Sequence, residues 1–576
     1  MRLLTTYIFK HWKFLILPII GMFVTLGIDA IIPLMQQVFI DDILTHQKTQ
    51  ALTPFFITFA SLIAVRCIFG YAKEYLFDRF SVDVSKAIRM DLFNKIQTLD
   101  FSFFDQTNTG ELMSRIGEDT DLVWETVSYG LRLFIEMLII LGLSSFLMFK
   151  MSPTLACICL LILLPVALVG FWFEKKFWAI YLKISDQTAS LNSVTQQNIA
   201  GIRLVKAFAR EKHEITKFLD TNENLYDLNL SQARLNSHFT PIIEFLCNLA
   251  TIALIIVGGI LCIMGHVSLG VITAFSSYIL QLTWCVRNIG AFVTMLSQNK
   301  ACMSRIFKIL DTKPSIQTPK EAYAPTTIKG DICFKNVSFS YNEQLVLSDI
   351  NLSIHAGSSV AIMGATGCGK STLLALIGRY YDVTEGEVLV DGVNVKEWDL
   401  SILRHHLAVV FQDTFLFSNT IKNNIDFGET HSLEEVKQAA SLSCALDFIE
   451  SLEEGFATEI GERGVGLSGG QKQRLTIARA LIQRPRMLIL DDATSALDME
   501  TEYQVMSNLF QTDTLRTTFI VAHRISGVKD ADLILYMADG KILEKGTHHS
   551  LLQQKGHYYG IYCDQFKEFI TLEEAN

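Results

Sequence analysis

The chain has 576 residues, of which 50% are hydrophobic and only 19% are charged, and its mean hydropathy is +0.31. Soluble domains carry about 25% charged residues, so this composition argues against a purely soluble enzyme, and its apolar content excludes disorder. Its 49 basic and 59 acidic residues leave a formal charge of −10, which argues against a nucleic-acid partner. The composition predicts a membrane protein.

Long apolar runs are concentrated in the first half of the chain. Each is close to the roughly 20 residues that a helix needs to cross about 30 Å of hydrocarbon. The first run is too long for a signal peptide, and no small-residue cleavage site follows it. We therefore predict six transmembrane helices, at about 14–40, 51–72, 131–150, 152–174, 243–263 and 267–288.

The distribution of basic residues predicts the orientation of these helices. The three short loops that follow the first, third and fifth spans carry just two Lys or Arg residues, whereas the N-terminus and the 175–240 connection are much more basic. Because basic residues favour the inner side, we expect a multi-pass protein of the cell membrane with both termini in the cytoplasm.

Two connections between spans are much longer than loops need to be. Residues 73–130 and 175–240 place apolar residues at helical spacing, so we predict helices that continue beyond the bilayer. They are either amphipathic surface helices or a stalk that touches a cytoplasmic domain. We favour the stalk because a different kind of domain follows residue 328.

The second half of the chain begins after a linker. Residues 311–327 contain three prolines and show no periodicity, and short β-rich runs then alternate with helical ones. We predict a transmembrane domain at 1–310, a linker at 311–327 and an α/β domain at 328–576.

A glycine-rich loop joins the predicted strand Ser359–Met363 to a predicted helix at Thr372–Gly378. Its residues fit the pattern G-x-x-x-x-G-K-[ST] and run Gly364, Ala365, Thr366, Gly367, Cys368, Gly369, Lys370, Ser371 and then Thr372. The backbone N–H groups of such a loop curl around phosphate oxygens, and the helix N-terminus adds its positive dipole end. We expect Lys370 to reach the β- and γ-phosphates and the Ser371 hydroxyl to bind Mg²⁺.

A second apolar strand, Met487–Leu490, ends in Asp491 and Asp492. A carboxylate at the tip of a strand beside a phosphate loop can position Mg²⁺. Between the two strands lies another glycine turn, Leu467-Ser-Gly-Gly-Gln471, which runs into a helix. This turn is a second anion cradle, although a single active site needs only one such cradle.

The order of these motifs resembles that of the ATP-binding-cassette (ABC) ATPases, in which LSGGQ is the signature. In that family two domains meet head to tail, and each ATP lies between the phosphate loop of one and the LSGGQ of the other. The resemblance implies that Tyr341 stacks on adenine, that Gln412 contacts Mg²⁺ and water, and that His523 senses the γ-phosphate. It also implies that Asp491 helps to hold Mg²⁺. The signature residues that would contact ATP in the partner's site are Leu467, Ser468, Gly469, Gly470 and Gln471.

The membrane half resembles the exporters of the same family. Phe103–Arg115 and Gly201–Glu211 are similar to their two intracellular loops, and Thr458–Gly464 is similar to the loop that couples the cassette to the helices. The implied fold is a half-transporter with a six-helix membrane domain fused to an α/β P-loop ATPase domain. Two of its helices would cross over to pack on a second half-transporter.

One residue departs from the family pattern. The family ends its second strand with Asp-Glu, whose Glu polarises the attacking water, whereas this chain has Asp492. The shorter side chain draws the carboxylate back by about 1.5 Å, the length of one C–C bond, and a misplacement near 1 Å can cost roughly a hundredfold in rate. Asp492 is either a slower base in a homodimer or the impaired base in one subunit of a heterodimer whose partner carries an altered signature.

Charged residues inside the spans are candidates for a cargo cavity. Asp29 and Glu136 lie within the first and third predicted spans, where a charge facing lipid costs about 2.5–3.5 kcal/mol. They either face a central cavity that attracts cationic amphiphiles or make interhelical hydrogen bonds. Arg66, in the second span, is expected to snorkel or to pair.

These observations together predict ATP-driven export of hydrophobic or amphiphilic compounds by alternating access. The partners expected are a second subunit, the lipid bilayer and a hydrophobic small molecule. Two other functions stay open, namely transport of siderophores or thiols and a mainly regulatory ATP-binding subunit.

Overall fold

The computed structural model describes residues 7, 9–10, 12–461, 464–512 and 516–565. They form two compact units. The first comprises the described residues up to Thr98 together with Thr107–Thr312, and the second comprises Leu99–Gln106 and the residues from Lys313 onwards. The chain thus passes into the second unit after Thr312. The predicted division into contiguous domains does not place Leu99–Gln106 in that unit.

The first unit is helical. Long apolar runs form most of its helices, and several of these helices contain internal prolines, at Pro18, Pro33, Pro165 and Pro241. The helices of this part of the chain are α1 Lys13–Val38, α2 Leu52–Gln97, α3 Phe101–Gln106, α4 Thr109–Ser114, α5 Thr120–Glu125, α6 Leu131–Met151, α7 Pro153–Ala200, α8 Ile202–Ala207, α9 Glu211–Ile263 and α10 Leu269–Asp311. Short π-helical turns continue or join some of them, at Phe39–Thr45, Arg115–Asp119 and Thr126–Gly130, and a 3₁₀ turn lies at Thr49–Ala51.

Within the described residues, six helices are long and apolar enough to cross a membrane, which confirms the predicted number. The predicted starts at 152 and 267 are slightly early. Ser152 and Ser268 are extended residues that precede α7 and α10, and the Ser268 hydroxyl caps α10 by accepting a hydrogen bond from the N–H of Val271. A serine at this position ends the preceding loop because its side chain satisfies a free N–H of the first turn.

Three of the helices are much longer than a bilayer requires. Helices α2, α7 and α9 contain 46, 48 and 53 residues. At about 1.5 Å per residue each extends for about 70 Å or more, roughly twice the hydrocarbon thickness. The prediction that these segments continue as helices beyond the apolar spans is confirmed, and their location in the cytoplasm stays a prediction.

The second unit is built on two sheets. One is antiparallel, with strand order β2-β1-β4-β5, and the other has the order β10-β9-β3-β8-β7-β6, in which all neighbours but β10 and β9 run parallel. The strands are β1 Ile332–Tyr341, β2 Gln344–Ile354, β3 Ser359–Gly364, β4 Glu385–Val390, β5 Val393–Asn394, β6 Leu407–Val410, β7 Met487–Asp491, β8 Thr517–Val521, β9 Leu533–Ala538 and β10 Lys541–Gly546.

Helices cover the parallel sheet, as its buried, apolar strands require. They are α11 Lys370–Ile377, α12 Leu400–His405, α13 Ile421–Ile425, α14 Leu433–Leu442, α15 Leu446–Glu450, α16 Gly469–Ile482, α17 Met499–Thr512, α18 His548–Gln554 and α19 His557–Gln565. Because β3, β6, β7 and β8 are parallel, the residues that follow them meet at one edge of the sheet. That edge carries the candidate site.

Candidate functional site

The glycine-rich loop turns sharply between β3 and α11. Gly364, Gly367 and Gly369 have φ of +148°, +83° and +100°, a region that side chains disfavour. A Cβ on Gly364 would lie 2.1 Å from the Met537 carbonyl oxygen, and one on Gly369 would lie 2.7 Å from Leu347 Cδ2. The close packing leaves room for glycine alone. The N-cap residue of α11 is Gly369, which has no side chain to cap the first turn, so the N–H groups there can bind an anion.

Lys370 points its ammonium group into the curve of this loop. The side chain is buried, and Nζ donates to the carbonyl oxygens of Gly364 and Ala365 at 2.9 Å each, with Cys368 Sγ at 4.0 Å. A buried ammonium beside free N–H groups makes a strongly positive cradle. The loop therefore fits the triphosphate of a nucleotide.

Asp491 ends β7 next to the loop, where it accepts a hydrogen bond from the Ser371 hydroxyl. Burial raises the pKa of Asp491 above its usual range, and the charge of Asp492 adds to this shift, whereas Ser371, Lys370 and His523 oppose it. A divalent cation would offset the cost of keeping this buried carboxylate ionised. The Ser371 and Asp491 oxygens are the hard ligands that Mg²⁺ prefers.

Asp492 has a backbone conformation that the fold determines. Its φ is +51°, its N–H donates to the Val521 carbonyl at 3.1 Å, and its carbonyl accepts from Ser495 Oγ at 3.0 Å. The Gln473 side chain of α16 also reaches this carbonyl, at 3.4 Å, and accepts from the Ala496 N–H at 2.9 Å. A carboxylate at this position starts from a fixed backbone, so its reach depends on side-chain length.

Most of the predicted nucleotide residues meet in one cavity of about 300 Å³, whereas Gly364, Ala365 and Cys368 of the loop are not part of its lining. Val346 and Val521 also line it, and sequence reasoning missed them because a valine carries no chemical signal. The full set is Tyr341, Val346, Thr366, Gly367, Gly369, Lys370, Ser371, Thr372, Gln412, Asp491, Asp492, Val521 and His523. The structure thus brings together residues from five segments of the chain, and their individual roles stay predictions.

Tyr341 is placed by a tight hairpin. It ends β1 opposite Gln344, and the two turn residues Asn342 and Glu343 both have positive φ, as the favoured two-residue hairpin requires. Its ring packs edge-to-face on Tyr381, 5.2 Å between centroids.

The short helix α3 contacts this aromatic group from within the same unit. The Tyr381 hydroxyl donates to Asp105 at 2.7 Å, and Phe101 packs on Tyr380 with ring centroids 4.7 Å apart. Burial and the hydrogen bond to Asp105 raise the pKa of Tyr381. Asp105, in the segment that resembles the first intracellular loop, is therefore linked through Tyr381 to Tyr341, the residue that is expected to hold adenine.

The LSGGQ turn lies outside the cavity lining. Ser468 precedes α16, and its hydroxyl and the Gln471 side chain cap each other's backbone N–H groups. A Cβ on Gly470 would lie 3.0 Å from the Ala496 carbonyl oxygen. Leu467, Gly469 and the rest of the turn thus lie at a second helix N-terminus, separate from the cavity lining, and their role as an anion cradle stays a prediction. Glu462 and Arg463 of the expected coupling loop lie outside the described residues.

The structure pairs both charged residues predicted for a cargo cavity. Asp29 accepts hydrogen bonds from Arg66 of α2, and Glu136 accepts one from the buried Lys73 ammonium at 2.6 Å. Glu74 lies 3.3 Å from the same ammonium. The interhelical alternative left open by the sequence therefore describes their contacts, and a role in binding cargo stays a prediction.

Replacing Glu136 with Gln is expected to destabilise the membrane domain by about 3 kcal/mol, because it leaves a buried ammonium without its closest counter-charge. Glu74 is half-exposed and also pairs with Arg132, so it compensates only in part. The thermal unfolding midpoint of the purified protein measures the loss. The double change Lys73→Met with Glu136→Gln should restore most of the midpoint, and a single variant as stable as the wild type would contradict this account.

Comparisons with known proteins agree with these features. Residues 15–286 match the family model of the ABC transporter transmembrane region, and residues 347–495 match that of the ABC transporter. An ATP-dependent lipid A-core flippase of Desulfotalea psychrophila is 37% identical over 88% of this chain and 90% of its own length. A putative multidrug export ATP-binding/permease protein of Bacillus subtilis, YgaD, is 34% identical over 96% of each chain. A solved structure of a bacterial Atm1-family ABC exporter with ATP bound superposes with a TM-score of 0.84 at 26% identity, covering 96% of this chain and 98% of that one.

Proposed function

Since this chain belongs to the ABC transporter family, as an exporter whose membrane helices and ATPase domain share one polypeptide, we propose that it exports hydrophobic or amphiphilic compounds across the cytoplasmic membrane. Both termini would face the cytoplasm. Relatives named for lipid A-core and for multidrug export support an amphiphilic cargo. Transport of siderophores or thiols is the alternative.

The observation that carries the proposal is the pairing of two cradles in one domain. Lys370, Ser371 and Asp491 lie together in the nucleotide cavity, whereas Ser468 and Gly470 lie outside it. A second cradle is useful when it closes over nucleotide held by another subunit. Two ATP molecules would thus join two cassettes head to tail.

Exposed apolar surfaces support a second subunit. The turn between α7 and α9 exposes large apolar side chains at Ile199, Ile202, Leu204 and Phe208. The second unit exposes four aromatic side chains near Gln412, at Phe411, Phe415, Phe417 and Phe427. Contiguous apolar surface of this kind marks a protein interface, and we propose that each turn packs on the aromatic patch of the partner subunit.

The chemistry follows from the positions of the side chains. Lys370 and the loop N–H groups hold the triphosphate. Ser371 and Asp491 would hold Mg²⁺, which when bound would supply positive charge against the phosphate oxygens. Gln412 and, less effectively, Asp492 orient the attacking water, and His523 contacts the γ-phosphate. Binding closes the cassettes and turns the membrane cavity outward, and hydrolysis resets it.

Asp492 favours a heterodimer. Its N–H and its carbonyl oxygen are both hydrogen-bonded, so the backbone cannot shift to bring the shorter carboxylate closer to the water without breaking these contacts. The complete LSGGQ of this chain would still serve the partner's phosphate loop. We propose that hydrolysis at this chain's own site is weak and that turnover occurs at the partner's site. A slow homodimer and a mainly regulatory subunit are the alternatives.

The test is Asp492→Glu in the complex purified with its partner subunit. Turnover of MgATP should change little, because the partner's altered signature still limits this site. Asp539→Glu is the matched control, since Asp539 is an exposed Asp with a similar φ of +46°. A rise in turnover of roughly a hundredfold, which is the cost of a 1 Å misplacement, would instead identify a homodimer. Turnover by this chain alone that equals that of the complex would do the same.

A further inference from the structure

The segment that carries His523 is held by a side chain of α19. Gln565 Nε2 donates to the His523 carbonyl oxygen at 2.7 Å, and Gln565 Oε1 accepts from the Ile525 N–H at 2.9 Å. One amide thus bridges both sides of Arg524. This pairing uses the NH₂ donor and the carbonyl acceptor of the amide at once, on two separate atoms.

The helix that carries Gln565 is itself fixed. Tyr558 of α19 is fully buried, and its hydroxyl lies 2.6 Å from His548 Nδ1. The Glu544 carboxylate of β10 accepts from the N–H groups of His557 at 2.5 Å and Tyr558 at 3.1 Å, which caps the helix. Packing and capping therefore determine where Gln565 lies relative to the sheet.

The same segment is anchored on its other side. Arg524 Nη1 lies 3.6 Å from the carboxylate of the buried Glu502, and Glu502 accepts from the Thr494 hydroxyl at 2.7 Å. Thr494 follows Asp492 by two residues. With Arg524 attached to this side, the position of the His523 backbone depends on the Gln565 amide.

We propose that Gln565 is a positioning residue for His523, so that the C-terminal helix sets how well this chain's site recognises a γ-phosphate. The inference rests on the proposed function of His523. A lost Nε2 donor releases the His523 carbonyl and lets the imidazole drift from the phosphate. Gln565→Glu keeps the size of the side chain but places a carboxylate oxygen against that carbonyl.

The experiment compares Mg²⁺-dependent affinities for ATP and for ADP in the full-length chain, by displacement of a fluorescent trinitrophenyl nucleotide. The variants are Gln565→Glu, Gln565→Ala and, as reference, His523→Ala. Gln554→Ala is the matched control, because Gln554 is exposed and lies on the neighbouring helix α18. The ratio of ATP to ADP affinity should fall about tenfold in both Gln565 variants and in His523→Ala, the effect of one hydrogen bond to a charged group.

The ADP affinity and the unfolding midpoint should stay at wild-type values, which separates positioning from folding. If His523→Ala lowers the ratio and both Gln565 variants leave it unchanged, the positioning role is wrong and the function of His523 stands. If His523→Ala leaves the ratio unchanged, the function proposed for His523 fails and the inference fails with it. A fall in ADP affinity as large as that in ATP affinity would also overturn it.

Discussion

Lys370→Ala is expected to weaken ATP binding to this chain about 100-fold, the cost of removing one partner from a desolvated pair of charges. The ammonium is buried inside the loop, so water cannot replace it at the phosphates. Equilibrium binding of radiolabelled ATP to the purified chain measures the loss.

The control for this variant is Lys396→Ala, which removes an exposed lysine of the same domain. It should bind ATP like the wild type. The unfolding midpoint of Lys370→Ala should also stay near the wild-type value, because the loop carbonyl groups that lose Lys370 as a donor can hydrogen-bond to water instead. Wild-type ATP affinity in a folded Lys370→Ala protein would contradict the assignment of this loop.

Gly470→Asp is expected to lower MgATP turnover of the complex about 100-fold, similar to the loss of one preorganised donor at a developing charge. Its carboxylate would face the phosphates of the nucleotide held by the partner. Its Cβ would also press on the Ala496 carbonyl, 3.0 Å away. Nucleotide binding to this chain's own phosphate loop should persist, because Gly470 lies outside that cavity.

Gly560→Asp adds the same charge on the exposed surface of α19, where an added Cβ would meet no neighbouring atom of the described residues within 4 Å. That variant should keep wild-type turnover. If Gly470→Asp also keeps it, the LSGGQ turn does not complete a partner's site. If the variant instead loses ATP from its own loop, the two cradles are not separate.

The nucleotide site could be predicted because local sequence determines it. A strand, three glycines, a lysine and a helix specify the loop, and the edge of a parallel sheet then gathers Gln412, Asp491 and His523. The six apolar helices are equally local, since length and hydropathy alone identify a span. The predicted and observed helices differ at their ends, where Ser152 and Ser268 precede the first residues of α7 and α10.

What the sequence could not predict depends on pairs that are distant in the chain. Arg66 and Asp29 are 37 residues apart, and their pairing depends on how α1 and α2 pack. The side chain of Gln565 bonds to the backbone carbonyl of His523, which is 42 residues away in the chain, and a backbone carbonyl carries no sequence signal. The grouping of Leu99–Gln106 with the ATPase unit likewise rests on contacts such as Asp105 with Tyr381.

The central claim is that nucleotide held on the phosphate loop drives movement of an amphiphile across the membrane. The most direct measurement reconstitutes the complex with its partner into liposomes and follows a fluorescent phospholipid and a cationic dye after MgATP is added. We predict ATP-dependent movement of at least one of them by the wild type and none by the complex that carries Lys370→Ala. Equal movement by both complexes would contradict the claim.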